Sequence, residues 1–256
     1  MAVSSKSYYA NGYNGTPQAV SEVDINSNSE NPKFNLGFAC VDSVGNVYRY
    51  AQFGATISAG ELASQDLSES SLVDTDNICA AAAIGATSAT ITLASTTVDQ
   101  FKGGMLCITD DAGEGYQYVI KGNTVADASN LVILSLESPL KVALTTASDI
   151  AIIGNRYSNL EAATTTDADP VGRATSTVAV AGYFGWVQTK GRGTILQDGT
   201  VTVGGILTLS DGVAGAVQAL GGGGTTVGAL ITEPLIGRCV IAGDNTGQCV
   251  ADFNLE

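Results

Sequence analysis

Short runs of β-prone residues, separated by turns containing Gly, Asp, Asn and Pro, recur along the chain. Ala89-Thr90-Ile91-Thr92-Leu93 alternates in the way expected of a strand with one buried face. In the C-terminal part such runs follow at short, even intervals, over 206–209, 216–220, 227–232, 237–241 and 248–253. Even spacing of short strands is typical of small barrels and sandwiches. The sequence therefore predicts an all-β protein.

Two turn-forming segments mark hairpins. Asp42–Asn46 separates the β-prone runs 34–40 and 47–53, and Asp110–Gly115 separates the runs 105–109 and 116–121. Further strands are predicted over 130–136, 149–153 and 182–189.

Two segments lack the sequence pattern of a strand. The spacing of Thr97 and Gln100 fits a capping box, which predicts one capped helical turn over 97–101. The polar, acid-rich segment 57–76 shows neither the helical spacing of apolar residues nor the alternation of a strand, so we expect a loop or a short helix there.

The length of 256 residues allows one large β domain or two smaller ones. We expect an extended N-terminal arm followed by two small β-barrel or β-sandwich domains. The polar start, rich in Asn, Ser, Gly and Tyr, is the arm, and Asp167-Ala168-Asp169-Pro170 is interpreted as an interdomain turn. The predicted segments are the arm (1–33), a hairpin and connecting segment (34–76), a first β domain (77–160) and a C-terminal β-barrel domain (161–256).

The chain contains no histidine. This excludes Ser-His-Asp and Cys-His nucleophiles and every metal site that depends on imidazole. Catalysis by carboxylates, lysine or tyrosine stays open, but no pair of acidic residues is singled out. Gly221–Gly224 lacks the Gly-Lys-Ser/Thr continuation of a phosphate-binding loop. We therefore expect a protein that is not an enzyme and holds no cofactor.

Acidic residues outnumber basic ones by 25 to 11, for a net charge of −14. Nucleic-acid affinity comes largely from Lys and Arg neutralising phosphates, so a nucleic-acid partner is disfavoured, as is an anionic membrane surface. The N-terminus lacks the apolar segment of a signal peptide, and no apolar stretch of about 18 residues occurs. We expect a protein without a membrane partner.

The five cysteines contain no C-x-x-C pair, which suggests neither a zinc cluster nor a complete disulfide framework. We expect reduced, buried thiols, with a disulfide between Cys239 and Cys249 left open if their strands pair in register. The carboxylates of Asp110, Asp111 and Glu114 are interpreted as an exposed acidic turn, because they lack EF-hand spacing. Calcium binding there is the alternative.

Six aromatic residues are the candidate interface with a partner protein or with other subunits: Tyr8, Tyr9, Tyr13, Tyr183, Phe184 and Trp186. Arms that wrap over a partner often anchor through large amphipathic side chains, although a disordered leader is the alternative for the first three. Core packing is the default for Trp186.

Three runs carry a family resemblance: Gly199–Leu209, Gly215–Gln218 and Val227–Leu230. They resemble the closing β-barrel of tailed-phage capsid decoration (cement) proteins, over about a third of the chain. The segments 99–104 and 154–157 are similar to structural proteins of marine and cyanobacterial phages.

The resemblance implies an accessory protein, made in the host cytoplasm, that binds the outer surface of an icosahedral virion. Its implied partners are the major capsid protein, whose neighbouring capsomers it staples, and copies of itself, commonly in a homotrimer. The family supplies no catalytic motif and does not fix which residues make contact.

Two other functions compete with this one. A phage fibre or adhesin module that recognises a host surface glycan would use Tyr183, Phe184 and Trp186 as an exposed aromatic platform. A carboxylate-dependent enzyme that degrades polysaccharide is the third possibility.

Overall fold

The computed structural model describes residues 8–11, 17–20, 23–66, 73–164, 168–221 and 234–256. All helix-or-strand elements within these ranges are β-strands, which confirms the all-β prediction. The chain forms two compact units. We call Leu67–Arg156 the inserted unit, and we call Met1–Asp66 together with Tyr157–Glu256 the outer unit.

Strands are numbered in chain order. The first five are β1 (Tyr8–Asn11), β2 (Pro17–Val20), β3 (Ala39–Val41), β4 (Val47–Gln52) and β5 (Leu62–Asp66). The inserted unit holds β6 (Val73–Ile78), β7 (Ser88–Thr92), β8 (Met105–Asp110), β9 (Gln117–Asn123), β10 (Leu131–Leu136) and β11 (Asp149–Ile153). The outer unit resumes with β12 (Leu160–Ala162), β13 (Ala168–Ala174), β14 (Phe184–Leu196), β15 (Ile206–Leu209), β16 (Val217–Ala219), β17 (Leu235–Ile241) and β18 (Gln248–Asn254).

The inserted unit is one antiparallel sheet in the order β6-β11-β8-β9-β10-β7. A bridge between Cys79 and Ile91 joins its two ends, so the sheet curls into a barrel-like form. Alternate side chains point inward along β8, β9, β10 and β11, because successive residues of a strand face opposite sides. Phe101 lies fully buried among these inward side chains. The predicted hairpin across Asp110–Gly115 is confirmed by the β8–β9 pairing.

The turn over 97–103 is not helical. The Thr97 amide donates to Gln100 Oε1 at 2.8 Å, as a capping box requires, but Asp99 has a φ of 58° and interrupts the helical path. The buried Asn123 holds this turn in place. Its Oδ1 accepts from the Phe101 amide, and its Nδ2 donates to Thr97 O, both at 2.8 Å.

The outer unit is built on a sheet in the order β16-β15-β17-β18-β14-β4-β3-β1-β2, to which β5, β12 and β13 attach. The thirteen-residue β14 is its central strand. The first half of β14 pairs with β4 and the second half with β18. The first predicted hairpin is confirmed, because β3 pairs with β4 across Asp42–Asn46.

The predicted connecting segment 34–76 is divided differently in the structure. Its hairpin belongs to the outer unit, since β4 pairs with β14. The loop or short helix expected over 57–76 is wrong for Leu62–Asp66, which is the strand β5 between β12 and β13, and for residues 73–76, which lie in β6. Residues 62–65 are all buried, and a strand with both faces buried does not alternate.

The turn predicted at 167–170 is also corrected. Asp169 and Pro170 lie within β13, while Asp167 is outside the described residues. Pro170 is opposite Ser64 beside a register shift that precedes Gly172. Proline has no amide hydrogen to donate, so an irregularity of this kind accommodates it within a sheet. The strand predicted over 227–232 and the glycines at 222–224 lie outside the described residues.

The described parts of the predicted arm lie against the sheet and do not extend away from it. β1 pairs with β2, and Tyr9 is opposite Val41 of β3. Val23 and Ile25 are buried, and Ser29 forms a bridge with Phe184.

Candidate interaction surfaces

An aromatic cluster in the outer unit contains Trp186, whose exposed fraction is 2%. Trp186 is opposite Tyr50 in the β14–β4 pair, and their ring centroids are 5.2 Å apart. Phe34 and Phe38 cover the indole at centroid distances of 5.5 and 6.4 Å. These separations are typical of favourable aromatic pairs. Trp186 is therefore a core residue, which confirms the prediction of core packing.

The structure brings together only some of the six predicted aromatic residues. Phe184 is partly buried against the aromatic cluster, where its ring stacks on Tyr50 at 6.1 Å. Tyr183 packs against a different core cluster, which includes Phe53. For Tyr8 and Tyr9 only their pairing in β1 is described, and Tyr13 lies outside the described residues. An exposed platform made of Tyr183, Phe184 and Trp186 is therefore not present.

A different surface of the outer unit has the features of an interface. We call it the basic groove: an open depression of about 1280 Å³ that crosses β14, β18, β17 and β15. Its charged residues are Lys190, Arg192, Arg238 and Asp252. Three of the chain's 11 basic residues therefore meet in one depression, against a single carboxylate.

Sheet register explains why these side chains meet. Arg192 is opposite Asp252 in the β14–β18 pair, and Arg238 is opposite Asp252 in the β17–β18 pair. Ile206 is opposite Arg238 in the β15–β17 pair. Directly opposed residues of neighbouring strands project from the same face, so the four form one row across the sheet. Arg192 Nε lies 3.5 Å from Asp252 Oδ2 in an exposed ion pair.

Exposed apolar side chains border these charges. The exposed fractions are 79% for Val44, 70% for Val203, 62% for Leu235 and 39% for Ile206. Protein–protein interfaces combine arginine with apolar contact area in this way. The groove is also larger than the roughly 300–1,000 Å³ of a typical small-molecule pocket. Its composition and size favour a polypeptide occupant.

One edge of the groove, the turn at 44–46, is held by Asp42. The Asp42 carboxylate accepts from the amides of Val44 and Asn46 at 3.0 and 2.9 Å and from the Tyr48 hydroxyl at 3.0 Å. Partial burial raises the pKa of Asp42, but the hydrogen bonds from Asn46, Val44 and Tyr48 outweigh it and leave the pKa lowered. Asn46 Oδ1 accepts from the Arg192 amide at 3.0 Å and so ties the turn to β14.

A bidentate ion pair fixes the last residue to β4. Arg49 Nε and Nη2 lie 2.8 and 2.9 Å from the two carboxylate oxygens of Glu256. The Thr189 hydroxyl donates to the same carboxylate at 2.8 Å. The hydrogen bonds from Arg49, followed by the one from Thr189, lower the pKa of Glu256 against the opposing effect of partial burial.

Acidic residues and cysteines are the remaining candidates for metal binding or nucleophilic chemistry. In the ranges that the structure describes, no group of three His, Cys, Asp or Glu residues is arranged to hold a metal ion. Asp110, Asp111 and Glu114 are exposed in the β8–β9 turn, where Asp110 Oδ1 accepts from the Asp111 amide at 2.8 Å.

The thiols of Cys239 and Cys249 are both free and buried on neighbouring strands. Cys239 is opposite Ala251, so Cys249 is not in direct register with it. Burial, followed by the charge of Cys239, raises the pKa of Cys249 to about 11. A thiol with this pKa is protonated at neutral pH and is a poor nucleophile.

The basic groove was missed by sequence reasoning because its residues come from distant segments that only the sheet brings together. The one local signal was the Lys190-Gly191-Arg192 run in a chain with few basic residues.

Comparisons with protein-family models, with curated proteins and with solved structures returned no match. Within the described part of the chain, no helix has the length and apolar character needed to cross a membrane.

Proposed function

We propose that this chain is a viral structural protein, a capsid decoration protein that binds the outer surface of an icosahedral phage head and stabilises contacts between capsomers. The observation that carries the proposal is the basic groove. It combines basic and exposed apolar side chains, as protein–protein interfaces do, and it lies on a well-packed sheet. The resemblance of residues 199–230 to the closing barrel of cement proteins supports the same role. The partners under this proposal are the major capsid protein and further copies of the chain.

The physical properties of the chain suit assembly. A surface carried on paired strands is ordered before binding, so little conformational entropy is lost when a partner docks. The net charge of −14 favours solubility of the surface that faces away from the shell and disfavours adhesion to nucleic acid.

The alternative prediction was a fibre or adhesin module that recognises a host glycan. It depended on exposed rings at Tyr183, Phe184 and Trp186. The burial of Trp186 takes away its main support.

Co-sedimentation with purified shells that lack the protein tests the proposal. We expect saturable binding that reaches a plateau at a whole-number ratio to the shell subunit, and no binding to purified host polysaccharide. Absence of shell binding, or binding to the polysaccharide alone, would overturn the proposal.

The same assay addresses the N-terminal segment. Deletion of the whole predicted arm, residues 1–33, would also remove residues that are packed in the outer unit. Because Val23 and Ile25 are buried beside the aromatic cluster, a deletion of residues 1–22 is the cleaner variant. We expect it to keep the native Trp186 fluorescence spectrum and to bind shells more weakly. Unchanged shell binding would rule out a role for this segment.

A further inference from the structure

We infer that the basic groove receives the acidic tip of the β8–β9 hairpin from a second copy of this chain. The inference rests on the proposed function in so far as a decoration protein assembles with itself. It names the partner that the groove accepts.

The tip concentrates negative charge at an exposed position. Asp110, Asp111 and Glu114 lie within five residues, and all three are exposed. The basic groove carries three cations and one carboxylate, so the two surfaces have opposite net charge. Complementary potentials of this kind select a partner and fix its register. Two copies of a chain with a net charge of −14 repel one another overall, so a contact between them requires local attraction of this kind.

The tip is already shaped before it binds. The Ser148 hydroxyl donates to Ala112 O at 2.8 Å. Gly113 and Gly115 adopt φ values of 95° and 81°, which side-chain-bearing residues rarely adopt. A Cβ on Gly113 would meet Ile108 Cδ1 at 3.0 Å, so this turn packs closely on its own barrel. A fixed tip loses little conformational freedom on docking.

The dimensions of the two surfaces agree. Neighbouring strands are about 4.8 Å apart, so a groove that crosses four strands spans roughly 14 Å and accommodates a two-stranded hairpin tip. Tyr116, which follows the tip, is exposed and presents a ring that suits the apolar border at Val203 and Leu235. Charge and apolar contact therefore both have a counterpart on the other copy.

The proposed contact joins two different surfaces of the same chain. Contacts of this head-to-tail kind generate closed rings or extended arrays. A closed ring is the arrangement that suits a discrete decoration oligomer.

Sedimentation velocity of the full chain tests the inference. In about 50 mM NaCl we expect an oligomer, and in about 500 mM NaCl we expect dissociation, because salt screens exposed charges. The groove variant Arg192→Glu/Arg238→Glu and the tip variant Asp110→Lys/Glu114→Lys should each be monomeric at low salt. The control Lys102→Glu/Lys141→Glu changes the net charge as much as the groove variant does, at exposed positions outside the groove and the tip, and should assemble like the original chain.

Mixing the two monomeric variants gives the sharpest result. The groove variant keeps its acidic tip and the tip variant keeps its basic groove, so the original contact can join the two, and the basic tip of the second also meets the acidic groove of the first. A complex that contains equal amounts of the two variants should form at low salt. This rescue also shows that neither variant is simply misfolded.

Three results would overturn the inference. They are a wild-type monomer at about 100 μM in low salt, a groove variant that still assembles, and a mixture in which no complex forms. Loss of shell co-sedimentation by a groove variant that still self-associates would show that the shell occupies the groove. Shell binding by the wild-type chain is scored separately, so failure of self-association and failure of the decoration role are distinguishable.

Discussion

The inserted unit and the outer unit differ in how far apart along the chain their paired strands lie. In the inserted unit β8, β9 and β10 follow one another and pair in that order, with regular alternation of buried and exposed residues. In the outer unit β14 pairs with β4 from far earlier in the chain and with β18 near its end. Where paired strands are neighbours along the chain, the strands and their partners can be predicted from the sequence. Where paired strands are far apart along the chain, they form surfaces, such as the basic groove, that no local sequence pattern predicts.

Matched core substitutions should destabilise the two units separately, and we expect them to have the largest effects on the unfolding free energy. Phe101 in the inserted unit and Phe53 in the outer unit are both almost fully buried. Truncation of either to alanine should cost about 3–5 kcal/mol of unfolding free energy. Trp186 reports only on the outer unit, so Phe53→Ala should shift the unfolding seen by tryptophan fluorescence, and Phe101→Ala should shift a transition seen only by circular dichroism.

Phe101→Leu and Phe53→Leu serve as controls that keep most of the buried volume. A single transition that both alanine variants shift equally would show that the two units unfold together.

A pair of asparagines compares buried and exposed hydrogen bonding in the two units. Asn123→Ala removes the partners of the Phe101 amide and the Thr97 carbonyl, and should destabilise the inserted unit by about 1–3 kcal/mol. Asn28 is exposed and donates one hydrogen bond to Thr177 O, so Asn28→Ala should cost about 0.5 kcal/mol. Urea unfolding followed by circular dichroism measures both, and equal costs would contradict the role given to Asn123.

Acid should weaken the outer unit through Glu256. Its pKa is lowered in the folded state, so its stabilising contribution is present above the unfolded pKa of about 4.3 and is lost as the pH falls through the folded value. The Arg49–Glu256 pair is partly exposed, which limits the contribution to about 1 kcal/mol. Urea titrations followed by Trp186 fluorescence should show a shallower acid dependence for Glu256→Gln. An unchanged pH dependence would rule out the pair as its source.

The smallest effect on stability is expected at the basic groove. Arg192 and Asp252 form an exposed pair, and Arg238 is also exposed. Arg192→Gln/Arg238→Gln, which removes the positive charges without placing new carboxylates beside Asp252, should change the unfolding free energy by no more than about 0.5 kcal/mol per substitution. Thermal unfolding at high salt, where self-association is absent, is the measurement. A large loss of stability would assign these arginines to folding instead of recognition.

Strands with one exposed face were predictable from sequence. The predicted segments 105–109 and 130–136 correspond to β8 and β10, in which buried residues alternate with more exposed ones. Both predicted hairpins are present because turn-forming residues lie between two β-prone runs.

Each missed element has its own physical cause. β5 is buried on both faces and so lacks alternation, and β13 contains Pro170, which signals a turn. The burial of Trp186 was the default expectation, but its cover by Phe34 and Phe38 depends on the β4–β14 pairing. The basic groove could not be predicted because it depends on the register of four strands that are distant in sequence.

The copy number of this chain per purified virion tests the decoration role most directly. Quantitative mass spectrometry would compare it with the major capsid protein of the same particles. We predict many copies in a simple whole-number ratio to the shell subunit. A few copies per particle would indicate a tail or fibre component, and absence from the virion would contradict the account.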